Sequence, residues 1–186
     1  MKITRVFEFD SAHRVMNERV KCYNLHGHRF KAELTFDFDE TKAIGYAIDF
    51  KELKRIVGTW LDENFDHATI LNPKDSDTIE FIRKNGWKLY VMGMGNDLDI
   101  NPSAENIASE IFAAMDIVFR TNFSNITISS VKLYETPNCF VETTEWPSHR
   151  ATEDEVGFIV DWARHIGVEN YDIRNGKEKD CITKEG

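Results

Sequence analysis

Residues 22 to 28 read CYNLHGH, which places one thiol and two imidazoles within seven positions. His26 and His28 are two apart and directly precede KAELTFDF, where Ala32, Leu34, Phe36 and Phe38 alternate with polar residues. In an extended chain residues i and i+2 point to the same side, so both imidazoles share the apolar face of that strand. His13 stands in the same relation to ITRVFEF, sharing parity with Phe7 and Phe9. If the two strands pair as a hairpin, the three rings converge on the covered side of a sheet. Three neutral imidazoles around one ion, with a fourth position open, is the arrangement zinc uses in catalysis. A lone histidine is more often a hydrogen-bonded core or surface residue. Three at compatible parity, two of them in an H-x-H pair, make a metal site the competing reading.

Three further positions carry chemistry-bearing side chains. Cys22 precedes His26 by four residues. It is either a fourth ligand that closes a structural site, or a free thiolate favoured by the cation and by Lys21, acting as base or nucleophile. Asp66 and His67 are adjacent in FDH; the carboxylate can fix an imidazole tautomer, although neighbouring side chains often diverge into solvent. Glu135 ends KLYET before a turn. A carboxylate there suits a ligand presenting a paired N–H and NH2 edge, or is an exposed turn residue.

The elements that must position these groups follow from periodicity. ITRVFEF (residues 3 to 9) and KAELTFDF (31 to 38) alternate as strands. DFKELKRIVGTWLDENF changes to helical spacing, with Phe50, Leu53, Ile56, Val57, Trp60 and Leu61 on one stripe and Asp49 with Glu52 in capping-box position. DTIEFIRKNG predicts a short helix stopped by Gly86, and WKLYVM a strand. GMGNDLDINP is a loop; its glycines do not open a helix directly and are turn residues rather than a phosphate cradle. Pro102 and Ser103 introduce a second long helix with Ile107, Ile111, Met115 and Val118 along one side. NITISSVKLYET and CFVETTEW form a hairpin across Pro137 and Asn138. Strands grouped at each end with helices between them predict an α+β fold with an antiparallel sheet covered on one face. Beyond Pro147, a helix over about 152–166 is predicted by a capping box of Thr152 and Glu155 and by Gly167 as its stop. A polar tail follows.

Composition bounds the rest. The 186 residues suit one domain, and 41% hydrophobic with 30% charged residues argues against disorder. No apolar run approaches the roughly 20 residues that span a bilayer. The alternating MKITRVFEFD is no signal-peptide core, and three cysteines (Cys22, Cys139, Cys181) at unrelated spacings suit reduced thiols. A cytoplasmic protein with no membrane association is expected. The net charge of −9, from 23 basic and 32 acidic residues, opposes nucleic-acid binding. Arg14, Arg19, Lys21, Arg29 and Lys31 nevertheless form a local basic stretch with a single acid, Glu18, able to receive a small anion.

The motifs FDSAHRV, CYNLHGHRF, GYAIDFKELK, FDHATILN, NPSAENIA and VKLYETPN occur in the order found in the 6-pyruvoyl-tetrahydropterin synthase family, which the sequence resembles over about residues 3 to 146. That family includes the 6-carboxytetrahydropterin synthases of queuosine and deazapurine biosynthesis. The resemblance implies a tunnelling fold: a four-stranded antiparallel sheet with helices on one side, in trimers whose sheets close a barrel and which stack into a homohexamer. It implies a catalytic domain over residues 1–146 and a C-terminal extension over 147–186. Carried over by motif, His13, His26 and His28 would hold Zn2+, Cys22 would be the catalytic thiol, and Asp66 with His67 the proton relay. Glu135 would anchor a pterin, with Ser103 and Glu105 near the pterin or a subunit contact. The substrate implied is 7,8-dihydroneopterin triphosphate. The C-x-x-x-H-G-H spacing resembles the 6-carboxy enzymes, which release triphosphate and acetaldehyde. A 6-pyruvoyltetrahydropterin synthase, and a noncatalytic pterin-binding module with structural zinc, are the alternatives.

Overall fold

The computed structural model describes residues 1–41, 43, 45–93, 98–147 and 153–168. Strands β1 (Lys2–His13) and β2 (His26–Phe38) form a long antiparallel hairpin, with His13 opposite His26, Ser11 opposite His28 and Phe9 opposite Phe30. β5 (Ile126–Thr136) lies antiparallel against the other edge of β2, and β6 (Cys139–Thr143) against β5. These four strands are the antiparallel sheet expected from the sequence.

The sheet is larger than that expectation. β3 (Thr69–Leu71) adds in parallel to the end of β1, pairing only at Ala12 and His13, and β4 (Leu89–Val91) adds in parallel to β3. The result is a six-stranded mixed sheet in the order β4-β3-β1-β2-β5-β6. Three-residue strands are too short to display an alternation, which is why ATIL gave no signal of β3 in the sequence. Their direction follows from the helices that precede them, because a parallel strand requires a crossover rather than a tight turn.

Alternate residues of β2, from Phe30 to Phe38, are buried. The helices α1 (Phe50–Asn64) and α3 (Ala104–Asn122) contribute to the same core. Within α1, Leu53, Ile56, Val57, Trp60 and Leu61 are buried as the helical stripe requires, but Phe50 is 58% exposed. Phe50 is the first helical residue, and its carbonyl instead accepts from Arg5. Asp49 caps α1 by accepting from the Lys51 N–H, while Glu52 turns away to pair with Arg55, so the reciprocal half of the capping box is not made. α2 (Ser76–Lys84) is stopped by Gly86 in the left-handed region (φ 67°) and packs on β3 and β4 over a satellite cluster of Leu71, Ile79 and Ile82.

The C-terminal helix α4 (Glu153–His165) joins the same core. Ile159, Trp162, Ala163 and Val168 are buried, and Trp162 meets Trp60 edge to face at 5.0 Å. The Trp162 indole N–H donates to Glu63, and Arg55 donates to the carbonyl of Ile166. Covered by the sheet and by α4, α3 is buried nearly all round and even encloses Glu110 and Asp116; Asp116 accepts from Trp146 and Arg120. The predicted capping box of Thr152 and Glu155, and Cys181 in the tail, lie outside the described residues and side chains.

Candidate metal centre and proton-relay pair

The hairpin register brings the three histidines together. Because His13 faces His26 across the ladder and His28 is the next residue on the same face, their ring centroids lie 4.5, 5.3 and 4.9 Å apart. One ring nitrogen from each lies within 4.8 Å of the others. Phe30, fully buried, forms the floor, with its ring 5.6 Å from that of His13 and 5.7 Å from that of His28. An apolar floor lowers the local dielectric and strengthens any charge interaction above it.

Two rings are oriented from behind. His13 Nδ1 lies 2.7 Å from the carbonyl oxygen of Pro102, and His26 Nδ1 lies 2.7 Å from that of Asn24. A carbonyl only accepts, so each Nδ1 carries the proton and each Nε2 presents a lone pair. His13 Nε2 is buried without a hydrogen-bond partner, which suits a metal ligand. Burial pushes the His13 pKa below the ordinary value, against the opposing effect of Pro102, and so favours the neutral form that metals bind. The donor set therefore fits a divalent ion held by three imidazoles. Among the described residues the group includes no thiol, so Cys22 is not a fourth member.

Glu135, at the end of β5, sends Oε1 to within 3.4 Å of His13 Nε2 and 3.8 Å of His28 Nε2. Cys22 sits half-buried in a 3-10 turn, Lys21–Tyr23, between β1 and β2. That turn is anchored on one side by the Val15 N–H donating to the Cys22 carbonyl at 2.8 Å. On the other side lies Asn24, whose carbonyl orients His26.

Asp66 and His67 do not diverge. His67 adopts a left-handed backbone (φ 59°), uncommon for a residue with a Cβ, which brings its Nδ1 to 2.6 Å from Asp66 Oδ2. Asp66 Oδ1 accepts from the Asp10 N–H, and the His67 N–H donates to the Asp10 carbonyl, so the pair is stitched to β1. Neither member of the pair is among the groups gathered at the imidazoles. His67 borders an open depression of about 470 Å³ with Asp10, Gly27, Arg29 and, of the three clustered histidines, His28. Asp10 and Arg29 alternate along their strands with the residues that face the histidines, so they project from the other face.

Ser103 caps α3 by accepting from the Asn106 N–H, and Glu105 is exposed on the first helical turn. Neither is among the residues gathered at the imidazoles. The basic stretch is largely committed: Arg29 grips Asp10 through two bonds of 3.0 Å, Lys31 pairs with Glu33 at 2.6 Å, and Arg14 pairs with Asp75 at 3.3 Å. Sequence reasoning missed the carbonyls of Pro102 and Asn24, because backbone groups orienting a ring have no residue-type signature.

The family pattern described as 6-pyruvoyl tetrahydropterin synthase matches residues 2–145. The chain is 41% identical over 147 residues to a 6-carboxy-5,6,7,8-tetrahydropterin synthase of Rickettsia felis, covering 76% of this chain and 99% of that one. It is 32% identical over 150 residues to the protein of the same name from Haemophilus influenzae, covering 77% and 99%. Among solved structures, an uncharacterized protein from Wolinella succinogenes superimposes with a TM-score of 0.62 at 21% identity, over 78% of this chain and 98% of that one. The 6-pyruvoyl tetrahydropterin synthase of Caenorhabditis elegans gives 0.53 at 21% identity, over 78% and 95%. At that identity the likeness establishes the shared fold.

Proposed function

This chain belongs to the 6-pyruvoyl tetrahydropterin synthase family, and we propose that within it the chain acts as a 6-carboxy-5,6,7,8-tetrahydropterin synthase. The reaction takes 7,8-dihydroneopterin triphosphate and water to 6-carboxytetrahydropterin, acetaldehyde and triphosphate. The observation that carries this reading is the cluster of three imidazoles with no thiol among them. An ion held by three protein ligands keeps a position for substrate, whereas a fourth protein ligand would close the site. Relatives 41% and 32% identical carry the 6-carboxy name, and the C-x-x-x-H-G-H spacing agrees with it.

His13, His26 and His28 would hold zinc, which suits imidazole donors. When bound, the ion polarises the hydroxyls of the substrate side chain and stabilises charge developing there. The chain's own groups move the protons. Cys22, as thiolate, takes one. His67, with Nδ1 held by Asp66, accepts or returns another at Nε2. Glu135 accepts from the N–H edge of the pterin, which then lies within side-chain reach of the ion. Arg19 and Lys21, beside the thiol and outside the ion pairs that occupy Arg14, Arg29 and Lys31, take the triphosphate. Ser103 and Glu105 belong to the subunit contact or the pterin rim.

A second copy completes the site. Among the described residues no strand pairs with Lys2–Ser11 on the side of β1 away from β2, and β6 is the opposite edge of the sheet. Unpaired edges invite pairing between chains. Edge-to-edge trimers, stacked as a homohexamer, would bring the Asp66–His67 pair of one subunit to the metal centre of the next. Residues 1–146 form the catalytic domain and 147–186 an extension of it, in a cytoplasmic enzyme; no described helix is long and apolar enough to cross a membrane.

Incubation with 7,8-dihydroneopterin triphosphate and mass spectrometry of the products test the reading. Acetaldehyde and a 6-carboxy pterin are expected. A product retaining the three-carbon side chain would assign the 6-pyruvoyl reaction instead. Binding without turnover by the zinc-loaded protein would make it a pterin-binding module.

A further inference from the structure

Arg14 follows His13 directly and contacts three segments at once. Its guanidinium lies 4.6 Å from the centre of the Tyr23 ring, in cation–π contact with the residue after Cys22. Its Nη1 donates to Thr78 Oγ1 at 3.1 Å, and its Nε lies 3.3 Å from Asp75 Oδ2. Asp75 is 5% exposed and precedes α2, and Thr78 is in the first turn of that helix. Arginine suits this place because its planar guanidinium can lie over a ring while Nη1 donates in the plane, whereas the compact ammonium of lysine has no face to stack. The main chain repeats the link, since the Val15 N–H donates to the Cys22 carbonyl.

We propose that Arg14 is a positioning residue for Cys22, holding the 3-10 turn that carries the thiol against α2 through Tyr23, Asp75 and Thr78. Arg14 touches no reacting atom. α2 and its approach thereby act as a buttress of the active site rather than a peripheral decoration. The turn spans only Lys21–Tyr23, none of its residues is buried, and its one side-chain cap is a 3.3 Å bond from the exposed Asn24 amide to the Lys21 carbonyl. Its position is therefore set by what grips it from outside. The charge of Arg14 is already matched by Asp75, so its contribution at Cys22 is geometric. The inference rests on the assignment of Cys22 as the catalytic thiol.

The test uses the full-length, zinc-loaded protein with Tyr23→Phe, Tyr23→Ala, Arg14→Lys and the pair Arg14→Lys/Tyr23→Ala. Tyr23 is 49% exposed, so its replacement leaves folding intact. Tyr23→Phe keeps the ring and is expected to turn over at the wild-type rate. Tyr23→Ala and Arg14→Lys are each expected to lower kcat about tenfold or more with zinc content unchanged, the sensitivity typical of a misplaced reacting group. The double variant should be no worse than the poorer single one, because both break one contact. The rate of Cys22 alkylation by iodoacetamide, read by peptide mass spectrometry, should change in Tyr23→Ala and not in Tyr23→Phe. Wild-type kcat and alkylation rate in Tyr23→Ala would overturn the proposal, and so would additive losses in the double variant. Full activity of Cys22→Ala would instead remove the premise, while the alkylation comparison would still report whether Arg14 and Tyr23 hold the turn.

Discussion

His13 Nδ1 lies 2.7 Å from the carbonyl oxygen of Pro102, a residue 89 positions further along the chain. That one contact fixes the imidazole tautomer, aims Nε2 at the other two histidines, and ties the entry of α3 to the end of β1. Ser103, next in sequence, caps the same helix. The helix and the metal centre are therefore registered to each other by consecutive residues.

The first prediction concerns the metal. His13→Ala, His26→Ala and His28→Ala should each purify without stoichiometric zinc by plasma mass spectrometry, and each should lose the rise in thermal midpoint that zinc gives the native chain. A ligand that binds only the folded state stabilises it in proportion to RT ln(1 + [L]/Kd), so the midpoint rise is a second, activity-independent readout. Retention of a full zinc complement by His13→Ala would remove the imidazole cluster as the metal site.

Replacing the thiol separates chemistry from coordination. Cys22→Ala is expected to keep zinc and lose turnover by at least about a hundredfold, the lower end of what a positioned acid or base contributes. Loss of zinc together with unfolding would show instead that the sulfur is a structural ligand.

Subunit complementation follows because neither Asp66 nor His67 is among the groups gathered at the imidazoles within one chain. Cys22→Ala and His67→Asn should each be inactive, and mixing them under conditions that allow subunit exchange should restore measurable activity. A site assembled from two chains can combine the intact thiol of one with the intact relay of the other. Absence of recovery after verified exchange would place both groups in a single chain's site.

The Asp10–Arg29 pair gives a pH signature. The Arg29 guanidinium, bonded to both carboxylate oxygens, holds the Asp10 pKa below its ordinary value of 3.8. Because the folded-state value is lowered, the stabilisation is fully present above 3.8 and is lost as pH falls through the folded value. An NMR titration of the Asp10 carboxyl should find its midpoint below 3.8 in the native chain and raised in Arg29→Gln. An unchanged midpoint in the variant would mean that the pair has no energetic weight in solution.

The last prediction addresses α4. Trp162→Ala removes a side chain that is 9% exposed, packs on Trp60 and donates to Glu63. A loss of about 3–5 kcal/mol is expected, as for other large aromatic truncations in cores. It is read as a lower denaturant midpoint with an unchanged slope. A loss below about 1 kcal/mol would show that the extension rides on the core without supporting it.

The sequence by itself determined the local features whose signal lies in neighbouring residues. Alternation in β1 and β2 put His13, His26 and His28 on one apolar face, and helical spacing marked the buried stripe of α1. Pro137 and Asn138 marked the β5–β6 hairpin. Motif order revealed the family. Tertiary structure decided what depends on partners distant along the chain. It paired the three-residue strands β3 and β4 in parallel, turned Phe50 outward and enclosed α3 between the sheet and α4. It supplied Pro102 as the group that orients His13, folded His67 back on Asp66 through a left-handed backbone, and stitched that pair to the main chain of Asp10. Periodicity reports which side of an element is apolar. It carries no record of which remote carbonyl or guanidinium fills the space beside it, because those contacts exist only after the chain has closed on itself.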